Sequence, residues 1–144
     1  MPNVSSMVRR KKVLVIEDDA DLGMVLAVRL SSWGFESSHV SEGKQGLERA
    51  KSETPDLIIL DLTLPDLSGR EVCKAIREDS DKKFARTPII MLTGHNADTD
   101  KLIGYVIGAN CYITKPFDEA DLLESVQLLV WNPDSVLPSS YSSD

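Results

Sequence analysis

Several things are missing from this sequence, and each absence narrows what the chain can be. No apolar run approaches the roughly 20 residues needed to span a bilayer, so a membrane-spanning helix is not expected. The N-terminus has no long apolar segment of the kind that opens a secretory signal, which makes the cytoplasm the expected location. Cysteine is scarce. Cys73 and Cys111 lie far apart and form no CxxC, which argues against a zinc ribbon or redox pair and for two reduced, buried small residues. Positive charge is in deficit, with 16 Lys and Arg against 23 Asp and Glu, a net −7. That balance argues against direct nucleic-acid binding by the domain itself. The basic run Arg9-Arg10-Lys11-Lys12 stands directly before an apolar strand and reads as a solvated lead-in. There is no internal repeat.

What remains, 144 residues with 42% hydrophobic content, suits one α/β domain. Residues 1–10 read as a flexible lead, 11–131 as the folded domain, and 132–144, with two prolines and five serines, as a flexible tail or linker. Val13–Ile16, Leu57–Leu60 and Ile89–Leu92 are continuous apolar runs, as in parallel strands buried on both faces. Cys111–Thr114 is a weaker strand, and Ser37–Val40 is polar enough for an edge. Between them, Leu22, Leu26, Leu30 and Trp33 share a helical face closed by Gly34. Ser41–Lys51 has Leu47 and Ala50 facing inward. Ser68 and Glu71 have capping-box spacing before Val72, Ala75 and Ile76. Asp118 can cap a last helix carrying Leu122, Leu123, Val126, Leu129 and Val130. The segment from Asp98 to Ile107 is a poor helix, with Gly104 and β-branched Ile103, Val106 and Ile107. The stretch from Asp79 to Arg86 reads as a flexible loop. Five strand-helix repeats with right-handed crossovers predict a doubly wound five-stranded parallel sheet of the flavodoxin-like order 2-1-3-4-5, with helices on both faces.

Ligands of open α/β sheets sit at the carboxyl ends of the strands. Strand one ends in Glu17-Asp18-Asp19, strand three in Asp61, strand four in Thr93-Gly94 and strand five in Lys115-Pro116. Glu17, Asp18 and Asp61, with a hydroxyl and a lysine, therefore converge on one edge. A hard divalent cation suits such an oxygen-rich set and relieves the repulsion among its carboxylates. Asp61, Lys115 and Thr93 are the candidate nucleophile, cation and hydroxyl donor of that edge. Pro116 is a candidate for a cis bond. Asp19 and Asp66 read as turn or cap residues, His39 and His95 as surface residues, and Trp33 and Trp131 as packing at helix ends.

These stretches, together with Asp56–Gly69, Pro88–Gly94 and Gly108–Phe117, resemble the receiver domain of two-component response regulators over residues 12–130. The resemblance implies that Asp61 accepts a phosphoryl group from a sensor histidine kinase or a histidine phosphotransfer protein. It implies that Mg²⁺ (or Mn²⁺) is held by Glu17, Asp18, Asp61 and the backbone carbonyl of Thr63, and that Thr93 and Tyr112 form the switch. The bland reading of Tyr112 is a half-buried ring on an edge strand. The resemblance further implies a signalling domain rather than a turnover enzyme, able to catalyse its own phosphorylation and slow dephosphorylation. The downstream partner or output domain is not legible, and a homodimer is open. Two alternatives stand beside it. One is a phosphate-independent docking module. The other, an aspartyl-phosphate phosphatase, needs a second Asp two residues after the nucleophile, where this chain has Thr63. A flavin-binding module is disfavoured because Glu17-Asp18-Asp19 would repel a cofactor phosphate.

Overall fold

A computed structural model describes residues 9–94 and 108–137. The expected weak helix at Asp98–Ile107, His95 and the far ends of the lead and tail lie outside these residues. Five strands, β1 (Lys12–Ile16), β2 (Glu36–Val40), β3 (Leu57–Asp61), β4 (Ile89–Thr93) and β5 (Cys111–Thr114), form one parallel sheet in the order β2-β1-β3-β4-β5. The helices are α1 (Ala20–Ser32), α2 (Gly43–Glu53), α3 (Gly69–Arg77), the single turn α4 (Lys82–Ala85) and α5 (Glu119–Trp131).

The period of two along each strand divides the core into two layers. Val13, Val15, Leu57, Ile59, Ile90, Leu92 and Ile113 face Leu26 and Leu30 of α1 and Leu122, Val126 and Leu129 of α5. Their neighbours Leu14, Ile16, Ile58, Leu60, Ile89, Met91 and Tyr112 face Ala50, Val72, Cys73 and Ile76 on α2 and α3. Burial on both faces is why the three central strands carry no polar alternation. The serines of β2 are only half-buried, consistent with its edge position.

Local chemistry sets the helix ends. Asp19 accepts the N–H groups of Asp21 and Leu22, Ser68 that of Glu71, and Asp118 those of Ala120 and Asp121. Helix α2 has no capping side chain of its own. Asp66 reaches across from the β3–α3 loop to accept Gly43 N–H at 2.7 Å and Lys44 N–H at 3.0 Å. Its carboxyl is held below its ordinary value chiefly by the Lys44 amide. Gly34 follows α1 with φ of 97°, a conformation that favours glycine.

Three expectations are corrected. The stretch from Asp79 to Arg86 contains an ordered turn, because Asp81 caps α4 and Phe84 and Ala85 are buried. Trp131 is not a packing residue; it is 69% exposed, with the Lys11 ammonium 4.7 Å from its ring centroid. Tyr112 is buried completely rather than by half, since Met91 is its register partner on β4 and its ring joins the α2–α3 core layer.

A polar knot closes the sheet's lower edge, where the strands begin. Arg77 donates to the carbonyls of Gly108, Ala85 and Thr87 at 2.9, 2.9 and 2.7 Å, and to Asn110 Oδ1 at 2.8 Å. Asn110 Oδ1 also accepts Ile89 N–H, and its Nδ2 donates to the carbonyls of Pro133 and Ser135, both at 2.9 Å. Leu137 N–H returns to the Asn110 carbonyl at 2.7 Å. Residues 133–137, at the start of the expected linker, thus run back against the domain.

Candidate phosphoacceptor site

The upper edge of the sheet collects the reactive groups because parallel strands all end there. Asp61 closes β3 and is 4% exposed. Glu17, immediately after β1, continues the ladder through its N–H to Val40 and is 1% exposed. Asp18 is exposed beside them. One carboxylate oxygen from each of Glu17, Asp18 and Asp61 lies within 4.8 Å of the others. Lys115 follows β5, its N–H bonded to the Thr93 carbonyl and a cis peptide linking it to Pro116. Its ammonium donates to Glu17 Oε1 at 2.7 Å and Asp61 Oδ2 at 3.4 Å. Thr93 ends β4 and is buried.

The charges do not balance. Three carboxylates share one lysine, and two of them are removed from water. Burial, and then the neighbouring Asp61 carboxylate, raise the Glu17 pKa, with Lys115 pulling the other way. Burial works to lower the Lys115 pKa, but the bond to Glu17 and the field of Asp61 outweigh it and raise the value overall. An oxygen-rich cluster short of positive charge is what a hard divalent cation satisfies.

The support is backbone and fit. Asp61 Oδ1 accepts Thr63 N–H at 3.1 Å, and Glu17 Oε2 accepts Asp19 N–H at 3.2 Å. Gly69 lets α3 begin against the acceptor strand: a Cβ there would lie 2.3 Å from the Asp61 carbonyl oxygen. His39, expected as a plain surface residue, is half-buried and bonds through Nε2 to the Glu17 carbonyl at 2.7 Å. A carbonyl only accepts, so Nε2 carries the proton. The ring fits because residue 23 is glycine; a Cβ there would stand 2.2 Å from Nε2. Only this pairing of Gly23 with a strand histidine could have marked His39 in the sequence, and it becomes visible once β2 is known to lie beside α1.

The site thus gathers Glu17, Asp18 and Asp61 within 4.8 Å of one another, with Lys115 bonded to Glu17 and Asp61, Thr93 at the neighbouring strand end and Tyr112 in the core two residues before Thr114. Residues 13–127 match the family model described as the response regulator receiver domain, and the chain belongs to that family. It is 36% identical over 130 residues to the alkaline phosphatase synthesis transcriptional regulatory protein PhoP of Bacillus subtilis (strain 168), covering 90% of this chain and 52% of that protein. It is 38% identical over 119 residues to response regulator ArlR of Staphylococcus saprophyticus, covering 83% of this chain and 52% of that one. The chain spans about half the length of these curated relatives. Among solved structures, the BeF3-activated N-terminal receiver domain of Klebsiella pneumoniae RstA superposes with a TM-score of 0.77 at 28% identity, over 83% of this chain and 98% of that one. The receiver domain of a Pseudomonas aeruginosa PAO1 sensor histidine kinase superposes with a TM-score of 0.77 at 29% identity, over 85% and 99% of the two chains. That structure has a magnesium ion coordinated in its active-site cleft. The chain is therefore a phosphorelay signalling domain of two-component systems with the flavodoxin-like fold. No described helix is long and apolar enough to cross a membrane.

Proposed function

We propose that Asp61 is the phosphoacceptor and that the donor is the phosphohistidine of a sensor histidine kinase or a histidine phosphotransfer protein. The observation that carries this reading is the placement of Asp61, nearly buried, within contact of both the acidic pair and the Lys115 ammonium. A lone pair of an Asp61 carboxylate oxygen attacks phosphorus, the phosphorus–nitrogen bond breaks, and the imidazole leaves with its electron pair. Lys115 places a positive charge where phosphoryl oxygens would lie. Thr93 stands at the adjoining strand end to donate its hydroxyl to one of them.

The donor set fits Mg²⁺ or Mn²⁺, which Asp18, Asp61 and the Thr63 carbonyl would hold, with Glu17 in support. When bound, the ion neutralises phosphoryl charge and relieves the carboxylate repulsion. Thr93 and Tyr112 serve as the switch pair, coupling phosphorylation to the face formed by β5 and the segment before it. Two or three new charge-assisted hydrogen bonds, about 1.5–3 kcal/mol each, match the roughly 5.5 kcal/mol needed to move a switch from mostly off to mostly on.

The test is incubation with acetyl phosphate and Mg²⁺, read by intact-protein mass. The wild type gains one phosphoryl group, and Asp61→Asn gains none. Phosphate on the Asp61→Asn protein would place the acceptor elsewhere. A wild type that takes none from this donor or from a histidine kinase panel would support the docking-module alternative.

A further inference from the structure

The sheet edge opposite the acidic cluster carries the reverse charge. The starts of β1, β3 and β4 open there into a cavity of about 750 Å³, between the 9–12 run, the α4 segment and the chain just after α5. Seven of the chain's 16 lysines and arginines line it: the four of the 9–12 run, with Lys82, Lys83 and Arg86. Alone, the run reads as a solvated lead-in. The fold brings it a second basic group from a distant part of the sequence.

Three carboxylates also line the cavity, a local excess of four positive charges, and each is already engaged. Asp56 accepts Lys12 N–H at 2.8 Å. Asp81 accepts the Lys83 and Phe84 N–H groups at 3.0 and 3.2 Å. Asp134 pairs with Arg86 at 2.6 Å. Among the described residues, no ion pair holds Arg9, Arg10, Lys12, Lys82 or Lys83.

We propose that this cavity binds a compact polyphosphate anion, either the phosphate chain of a nucleotide or inorganic polyphosphate. Convergent guanidinium and ammonium groups suit clustered phosphate oxygens. The volume falls within the roughly 300–1,000 Å³ of small-ligand sites. Compactness follows from the rest of the molecule. With a net charge of −7 and an excess of +4 in the cavity, the remainder carries −11, so an extended polyanion meets repulsion as soon as it leaves the pocket. Val130 and Pro133 add apolar wall, and the exposed Trp131 ring lies next to Lys11, so a nucleoside base has a surface to stack on.

Equilibrium dialysis of the full chain tests this at low salt, with EDTA present so that no metal-bridged phosphate can sit at the acidic cluster. The probes are sodium tripolyphosphate, ATP and a single-stranded DNA oligonucleotide. One tripolyphosphate or ATP binds per chain, and affinity falls steeply as salt rises. The K82E/K83E double variant weakens binding at least about tenfold, while the same reversal at Lys44 and Lys74, exposed elsewhere, leaves it unchanged. ATP binding more tightly than tripolyphosphate, with the difference lost in Trp131→Ala, identifies the nucleotide as the source. Equal affinities identify the phosphate chain alone. The proposal is overturned if neither anion binds at millimolar concentration, if K82E/K83E binds like the wild type, or if the oligonucleotide binds more tightly than both.

Discussion

Arg77 offers the sharpest test of how this domain is held together. Its guanidinium donates to three backbone carbonyls and one side-chain amide oxygen, and among the described residues no ion pair holds it. Burial lowers its pKa, so the charge is retained against an unfavourable surrounding. Arg77→Met keeps the apolar stem and removes every donor. Hydrogen bonds to a charged group are worth about 1.5–3 kcal/mol each, burial of the guanidinium offsets part of that, and the four together predict a net loss of about 4 kcal/mol. That is a large share of the roughly 5–15 kcal/mol available to a domain. At about 4 °C per kcal/mol for a domain of this size, the melting temperature falls by about 16 °C. Arg77→Lys offers a point charge in place of the planar fork, so it recovers less than half of the loss. Urea unfolding followed by circular dichroism measures both variants, with an unchanged m-value as the check that only stability has altered. A loss under about 1 kcal/mol for Arg77→Met would show that water replaces the guanidinium without cost, and the reasoning would fail.

Three further predictions follow from the site and the core. Gly69→Ala drives a Cβ into the Asp61 carbonyl and the Leu62 Cα, so α3 must retreat; we expect a loss of at least about 2 kcal/mol and slower phosphorylation by acetyl phosphate, and normal rates would contradict the geometry. Burial pushes the Cys73 thiol up to about 11 and raises Cys111 as well, so Ellman's reagent at pH 8 should label neither in the folded chain and both in urea. Asp66 is held below its unfolded value of 3.8, so its stabilisation is complete above that pH and is lost as pH falls towards the lower folded value. Asp66→Ala should therefore lower stability at pH 7 and flatten the acid limb of the stability profile, and a parallel limb would argue against the cap.

Much of this was legible because it depends on periodicity and on strand ends. Three unbroken apolar runs specified the central strands, and parallel topology then obliged Glu17, Asp61, Thr93 and Lys115 to share an edge. What escaped detection depends on contacts between distant segments. Asp66 looked like a local turn acid, yet it caps a helix that starts 23 residues earlier. Nothing in the sequence pattern singled out Arg77 or Asn110, whose bonds join segments far apart in the chain. His39 could be placed only once Gly23 was known to make room for it. Trp131 failed in the other direction: expected to pack at a helix end, it is the last residue of α5 and stands in solvent.

The lower-edge knot holds residues 133–137 on the side where strands begin, whereas Asp61 sits where they end, a strand's length of about 16 Å away. β5 has a flanking residue committed at each end: Asn110 stands immediately before it and clasps residues 133–135, and Lys115 stands immediately after it and grips the carboxylates. One end of this four-residue strand is thus tied to the carboxylates and the other to residues 133–137, so the acidic cluster and the lower-edge knot belong to one connected frame.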